Sequence, residues 1–166
     1  MKHRLLPLYV LLSAVLWAAA GVSVAADSAR VKGGVEEIRY YDISSLKLHN
    51  IRRELARKGP RGYWAYAQWW VSWSARCEVT LTLTIDMPRH TRLDDMSPDL
   101  RREWLRMTDA LLDHERMHLD HGRQAAAEIA ADNCRTPYAI IDRWAAEDVA
   151  LDRRTNHGRT DGVYLP

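Results

Sequence analysis

The spacing of apolar positions along this chain switches between two periods, and each switch predicts an element. Val35 to Ile43 reads as a strand, after which Leu48, Ile51 and Leu55 fall at helical spacing, with Ser44 or Ser45 as cap and Gly59-Pro60 as stop. Period two then returns. Tyr63 to Ala75 is dense in aromatics, and Cys77 to Ile85 alternates Val79, Leu81, Leu83 and Ile85 with Glu78, Thr80, Thr82 and Thr84, which predicts two neighbouring antiparallel strands. Met87-Pro88 ends the second strand, and a polar loop follows to Met96. Ser97-Pro98 is an N-cap and first-turn signal for a long helix over Ser97 to Asp132, and a shorter helix follows from about Tyr138 to Arg154. The expected fold class is α+β: a small antiparallel sheet packed on the long helix, with a second, C-terminal helix beside it.

The first residues carry a different pattern. Lys2 and Arg4 precede an apolar run from Leu5 to Ala20, and Val24-Ala25-Ala26 offers small residues at a cleavage position, so 1–26 reads as a secretory signal and 27–166 as one domain. The apolar run is shorter than the roughly 20 residues that span a bilayer, so no stable membrane insertion is expected once it is removed. The whole chain has 24 basic and 22 acidic residues. Losing Lys2 and Arg4 leaves the exported part formally neutral, with no electrostatic case for nucleic acid or an anionic membrane. Two cysteines, Cys77 and Cys134, are the thiol inventory. In a periplasmic or secreted protein they are expected to pair as a disulfide, whereas zinc ligation would call for a CxxC neighbour that neither has.

The candidate chemistry lies on the long helix. His114-Glu115-Arg116-Met117-His118 is an HExxH sequence, which sets two imidazoles one turn apart with a carboxylate beside the first. Leu100, Trp104, Met107, Leu111, His114, His118, Ala125 and Ile129 recur at three- and four-residue steps, so both histidines continue the core-facing row. Zinc accepts neutral imidazole readily, and a carboxylate in the position of Glu115 can act as general base on a zinc-activated water. The alternative, two core histidines bonded to nearby carbonyls, buries two imidazoles without a common partner.

A catalytic zinc usually has three protein ligands. If the chain turns near Arg135 and runs back antiparallel, equal rise per residue brings a position near 154 level with the histidine pair, which points to Asp152, Thr155 and His157. His157, in a loop just past the helix, is the first choice of third ligand. Asp152 is then a partner that orients a ligand histidine, or the third ligand itself if His157 instead donates to the transition state. Glu128 is too far along the helix, His121 is a turn beyond, and Glu147 falls short of the level and off the Asp148–Asp152 face. A metzincin would need glycine at 121 and histidine at 124, where the chain has His121 and Gln124. The basic run Arg52 to Lys58 reads as a solvated helix face, and Asp94, Asp95 and Asp99 as loop and cap residues.

Several motifs in order resemble a bacterial family, domain of unknown function 922, described as predicted secreted zinc-dependent proteases. They are Tyr40-Tyr41-Asp42, Gly59-Pro60, Trp69-x-Val71-x-Trp73, Met87-Pro88, Ser97-Pro98 with Trp104, the HExxH itself, and Asp152-x-x-Thr155-x-His157-Gly158. The resemblance implies a zinc-dependent, zincin-like peptidase domain whose central motif is His114, Glu115 and His118 and whose C-terminal motif is Asp152, Thr155 and His157. Met117 and Ala67 depart from the family's pattern, which often has a small residue and a threonine there. The expected partner is a peptide or protein substrate, with a cell-wall peptide and an amidase activity on peptidoglycan served by the same residues. The contrasting expectation is a non-catalytic envelope binding or scaffold module with a structural or vestigial zinc site.

Overall fold

The computed structural model describes residues 30–166; the proposed signal segment lies outside them. Three strands, β1 (Val31–Ile43), β2 (Tyr66–Trp73) and β3 (Val79–His90), combine with three helices, α1 (Leu48–Lys58), α2 (Pro98–Ala131) and α3 (Pro137–Thr155). The class is α+β, but the sheet is mixed. The strand order is β1-β3-β2, with β2 antiparallel to β3 and β1 parallel to it. Period-two alternation reports that a segment is extended and says nothing of its direction, and α1 between β1 and β2 supplies the long connection that lets β1 and β3 run the same way.

Two further boundaries differ from expectation. β3 continues through Met87-Pro88 to His90. Its pairing with β2 ends at Asp86, so at Pro88 it has one neighbour, Tyr41 of β1, and proline's missing N–H is tolerated there. α1 begins at Leu48 without a side-chain cap. Ser44 and Ser45 contribute their backbone N–H groups instead, both donated to the Glu54 carboxylate at 3.1 and 3.0 Å, and Lys58 pairs with the same group at 2.6 Å. Burial alone would raise the Glu54 carboxyl, but these three partners outweigh it and bring it down to about 2.

The long helix starts as its sequence predicts. Pro98 occupies the first turn and the Ser97 hydroxyl accepts from the Leu100 N–H at 3.4 Å. Its inner face is fixed against the sheet by a single core containing Ile43, Ile51, Leu55, Val79, Leu83, Ile85, Met107, Leu119 and Ile129, all essentially without solvent contact. On its outer side Arg116 and Arg123 both reach Glu36 of β1, at 3.1 and 3.7 Å. Gly122 lets β2 lie close on the helix, since a Cβ there would sit 2.4 Å from the Trp69 Cβ. The basic run of α1 is partly structural, because Lys58 donates to the Asp42 carbonyl and Arg52 to the Leu165 carbonyl. Asp94, Asp95 and Asp99 pair with Arg101, Arg92 and Arg102.

Cys77 and Cys134 form a disulfide across 57 positions of sequence. It ties the β2–β3 turn to the turn between α2 and α3. Closing a loop of that length stabilises the fold by about 4 kcal/mol in the chain-entropy account. Beyond this anchor, α3 runs back along α2, which brings its C-terminal half level with the HExxH turn.

Candidate metal centre

α2 delivers His114 and Glu115 into the interior, 3% and 8% exposed, with the His118 side chain 12% exposed one turn on. α3 delivers Asp152 to the same point. Its Oδ1 lies 3.3 Å from His114 Nε2 and 3.2 Å from His118 Nε2. The opposite ring nitrogens are held by other carboxylates: His118 Nδ1 lies 3.0 Å from Asp148 Oδ1, and His114 Nδ1 lies 3.1 Å from Asp161 Oδ2. An ionised carboxylate accepts hydrogen bonds and donates none, so with Nδ1–H donated to Asp148 or Asp161 each ring would be free to offer Nε2 as a ligand atom on the side of Asp152.

Two imidazole nitrogens and one carboxylate oxygen thus converge on one point, where a single cation could be held by all three. Ligands at 2.0–2.1 Å from a tetrahedral zinc stand about 3.3 Å apart, which matches the two Nε2–Oδ1 distances. The donor set, two imidazoles and one carboxylate, suits a first-row divalent ion, and His114, His118 and Asp152 form a group able to hold a metal ion.

The surrounding contacts explain the charge balance. Burial by itself would depress the His118 imidazole, but the Asp148 bond and the charges of Asp148, Glu115 and Asp152 overcome it and raise it. Asp148 is itself held below the usual carboxylate range: burial opposes this, but His118, His121 at 2.7 Å and the Trp69 indole N–H at 2.7 Å outweigh it. Burial raises the Glu115 carboxyl, against the opposing pull of His118 and of the Ala67 N–H, which donates to Glu115 Oε2 at 2.7 Å. Glu115 is therefore fixed by one oxygen to β2, one of the two edge strands of the sheet.

The geometry departs from the expected ligand set at one residue. His157 follows α3 in left-handed backbone (φ 53), its side chain is 61% exposed, and its Nδ1 stands 3.5 Å from Asp152 Oδ2, so it adjoins the carboxylate without joining the histidine pair. Its backbone N–H and that of Asn156 both bond to the Asp152 carbonyl, which turns the ring to the rim. Thr155 is buried with its hydroxyl committed, donating to the Leu151 carbonyl and accepting from the Gly158 N–H. Glu147 pairs with Arg154, and Glu128 with Arg143, both away from the cluster. His121 and Asp148 form a second group with His118.

Asp161 was not foreseen from the sequence. It lies in a short strap after α3 whose carbonyls at Gly162 and Tyr164 accept from Arg106 of α2, at 2.8 and 2.6 Å. Gly158 starts that strap at φ 74, and a Cβ there would lie 3.0 Å from the His114 ring and 2.7 Å from Val163. The only advance signal was Gly158 itself, a residue suited to a left-handed turn packed against a neighbour.

Residues 38–158 match a family of bacterial proteins of unknown function, domain of unknown function 922. The chain belongs to this family. No curated protein and no solved structure matches it. In this DUF922 chain the matched region ends at Gly158, so it includes the histidine pair, Glu115, Asp148 and Asp152, and stops short of Asp161.

Proposed function

We propose that this DUF922 protein is an exported zinc-dependent hydrolase, and more narrowly a peptidase. His114, His118 and Asp152 hold the ion and Glu115 is the general base. The observation that carries this reading is the convergence of two imidazole Nε2 atoms and one carboxylate oxygen beside a buried glutamate, in a cleft of about 1360 Å³. A zinc ion bound there would supply Lewis acidity to a scissile carbonyl and make a water molecule acidic enough to lose its proton near neutral pH.

The remaining roles fall to the chain. Glu115 accepts the proton of the attacking water and returns it to the leaving nitrogen, and a carboxyl raised by burial suits both directions of transfer. Ala67 holds Glu115 through one oxygen where Glu115 lines the cleft. His157 on the rim serves as donor to the oxyanion. β2 pairs on one side only, so an extended peptide can add to its free edge by main-chain bonds, which brings a scissile amide past Glu115. Trp70, 72% exposed, faces away from the helix, whereas Trp69 packs on Gly122 as core. The disulfide accords with an oxidising compartment, periplasmic or secreted, and no described helix is long and apolar enough to cross a membrane.

The test uses residues 27–166 purified without chelator, assayed for zinc content and for hydrolysis of labelled casein and of peptidoglycan. Glu115→Gln should lower hydrolysis by a factor of about 10² to 10⁴ while zinc content stays near one per chain. A parent that holds zinc and hydrolyses neither material would favour the non-catalytic binding module.

A further inference from the structure

We infer that the cleft is built for a polypeptide bearing an acidic side chain, bound at a rim formed by Arg61 and Arg159. This rests on the peptidase reading above and specifies its substrate class. The floor of the cleft is acidic: Glu115, Asp148 and Asp152 line it, and Asp161 backs His114. The rim carries the opposite sign, since Arg61 and Arg159 line the same cleft and neither has a carboxylate partner among the described residues, whereas Arg106, Arg116, Arg123 and Arg143 are all ion-paired. A substrate anion is repelled from the floor and drawn to the rim, so the charge pattern orients a peptide as well as selecting it.

The Arg61 guanidinium is also held in place before any ligand arrives. Arg61 lies 4.6 Å over the Tyr66 ring and donates one N–H to that residue's hydroxyl at 2.6 Å, which leaves its other N–H groups free for a two-point bond to a carboxylate. Arg159 lies 5.9 Å over the Tyr164 ring. Arg61 occupies left-handed backbone at φ 54, a conformation that favours glycine, beside Gly62 at φ 86. A bulky residue held there against its backbone preference fits a side chain kept for what it reaches. The two arginines reach the cleft from separate parts of the chain, one just before β2 and one in the strap after α3.

The experiment measures anisotropy of fluorescein-labelled hexapeptides, one with two central glutamates and one with two glutamines, on zinc-loaded Glu115→Gln and again on the same protein stripped with chelator. The glutamate peptide should bind at least tenfold more tightly. The preference should shrink between 50 and 500 mM salt, and it should vanish in Arg61→Ala/Arg159→Ala while thermal melting and zinc content stay unchanged. Arg61→Lys should keep part of it. Because neither arginine bonds to the histidine–aspartate cluster, the preference should persist without zinc, so a missing metal site and a missing anion subsite give different results. Equal binding of the two peptides, no binding of either, or a preference untouched by the double substitution would overturn the inference.

Discussion

The two helices that meet at the candidate metal centre contribute to it in opposite ways. α2 presents His114, Glu115 and His118 from one regular turn, with positions fixed by the 3.6-residue repeat, and buries them against the sheet. α3 and the strap behind it present Asp148, Asp152 and Asp161, which are partly exposed and spread over two elements. Periodicity within one helix places the first set. Only tertiary packing places the second: the α2–α3 turn, the disulfide beside it, and Arg106 holding the strap. α2 contributes the two histidines of the candidate set, and the other side contributes Asp152 and the carboxylates behind the rings.

Removing one member from each side gives the largest expected effect. If a zinc affinity of about 10–16 kcal/mol is divided over its ligands, each is worth about 4 kcal/mol, a factor of roughly 10³ in Kd. His118→Ala and Asp152→Ala should each weaken zinc by about that factor in competition with a chromophoric chelator, and His157→Ala should leave Kd within about threefold. If His157→Ala loses the ion and Asp152→Ala keeps it, the assignment of ligands between helix and rim loop is reversed.

The next effect concerns the carboxylates behind the rings. Asp148→Asn and Asp161→Asn keep the size of the side chain but lose the charge that fixes each Nδ1–H, and such partners are worth about 10- to 100-fold in metal affinity. The same chelator competition should show that loss for each. A loss confined to Asp148→Asn would mean that the strap merely covers the site.

The unequal legibility of the two sides has a physical origin. An HExxH turn announces itself because helical spacing alone decides that its histidines share a face. Asp152 was also within reach, since two antiparallel helices of equal rise act as rulers for each other and bring the level near residue 154. The same level singles out His157 as readily as Asp152, because it gives height along the helix and not the direction in which a chain turns. Asn156, His157 and Gly158 all take left-handed backbone, and that run swings the imidazole outward. Asp161 depends on a strap held by an arginine 55 positions earlier, which no local pattern reveals. The parallel pairing of β1 was hidden for a related reason, since alternation is the same in either direction.

A substitution at the joint between the sides is expected to act on stability as well as affinity. Gly158→Ala places a methyl group in left-handed backbone, worth about 1–2 kcal/mol, and presses it on Val163 and the His114 ring. Urea unfolding of the metal-free protein should show a loss of about 2 kcal/mol or more. Gly122→Ala, which drives a methyl group into Trp69 on the α2 side, should cost at least as much without disturbing the strap. Equal zinc affinities in the two variants would deny the strap its part in placing His114.

The smallest effect is a pH dependence that belongs to the contact between the two sides. In the metal-free protein Asp148 helps to raise His118 above its ordinary value of 6.5, so the stabilisation from that pair is complete below pH 6.5 and is lost as pH rises through the raised value. Glu115, raised above 4.5 by burial, loses stability in the same direction as it ionises. Asp148, held below 3.8, adds stability that is present above that pH and falls away only in stronger acid. The metal-free protein should therefore melt at a higher temperature at pH 5.5 than at pH 8 in chelator-containing buffer, and Asp148→Asn should flatten the difference. Zinc affinity should run the other way over the same interval, because the ion competes with the proton at Nε2. A metal-free melting profile that Asp148→Asn leaves unaltered would show that α3 supports His118 by position alone and not by charge.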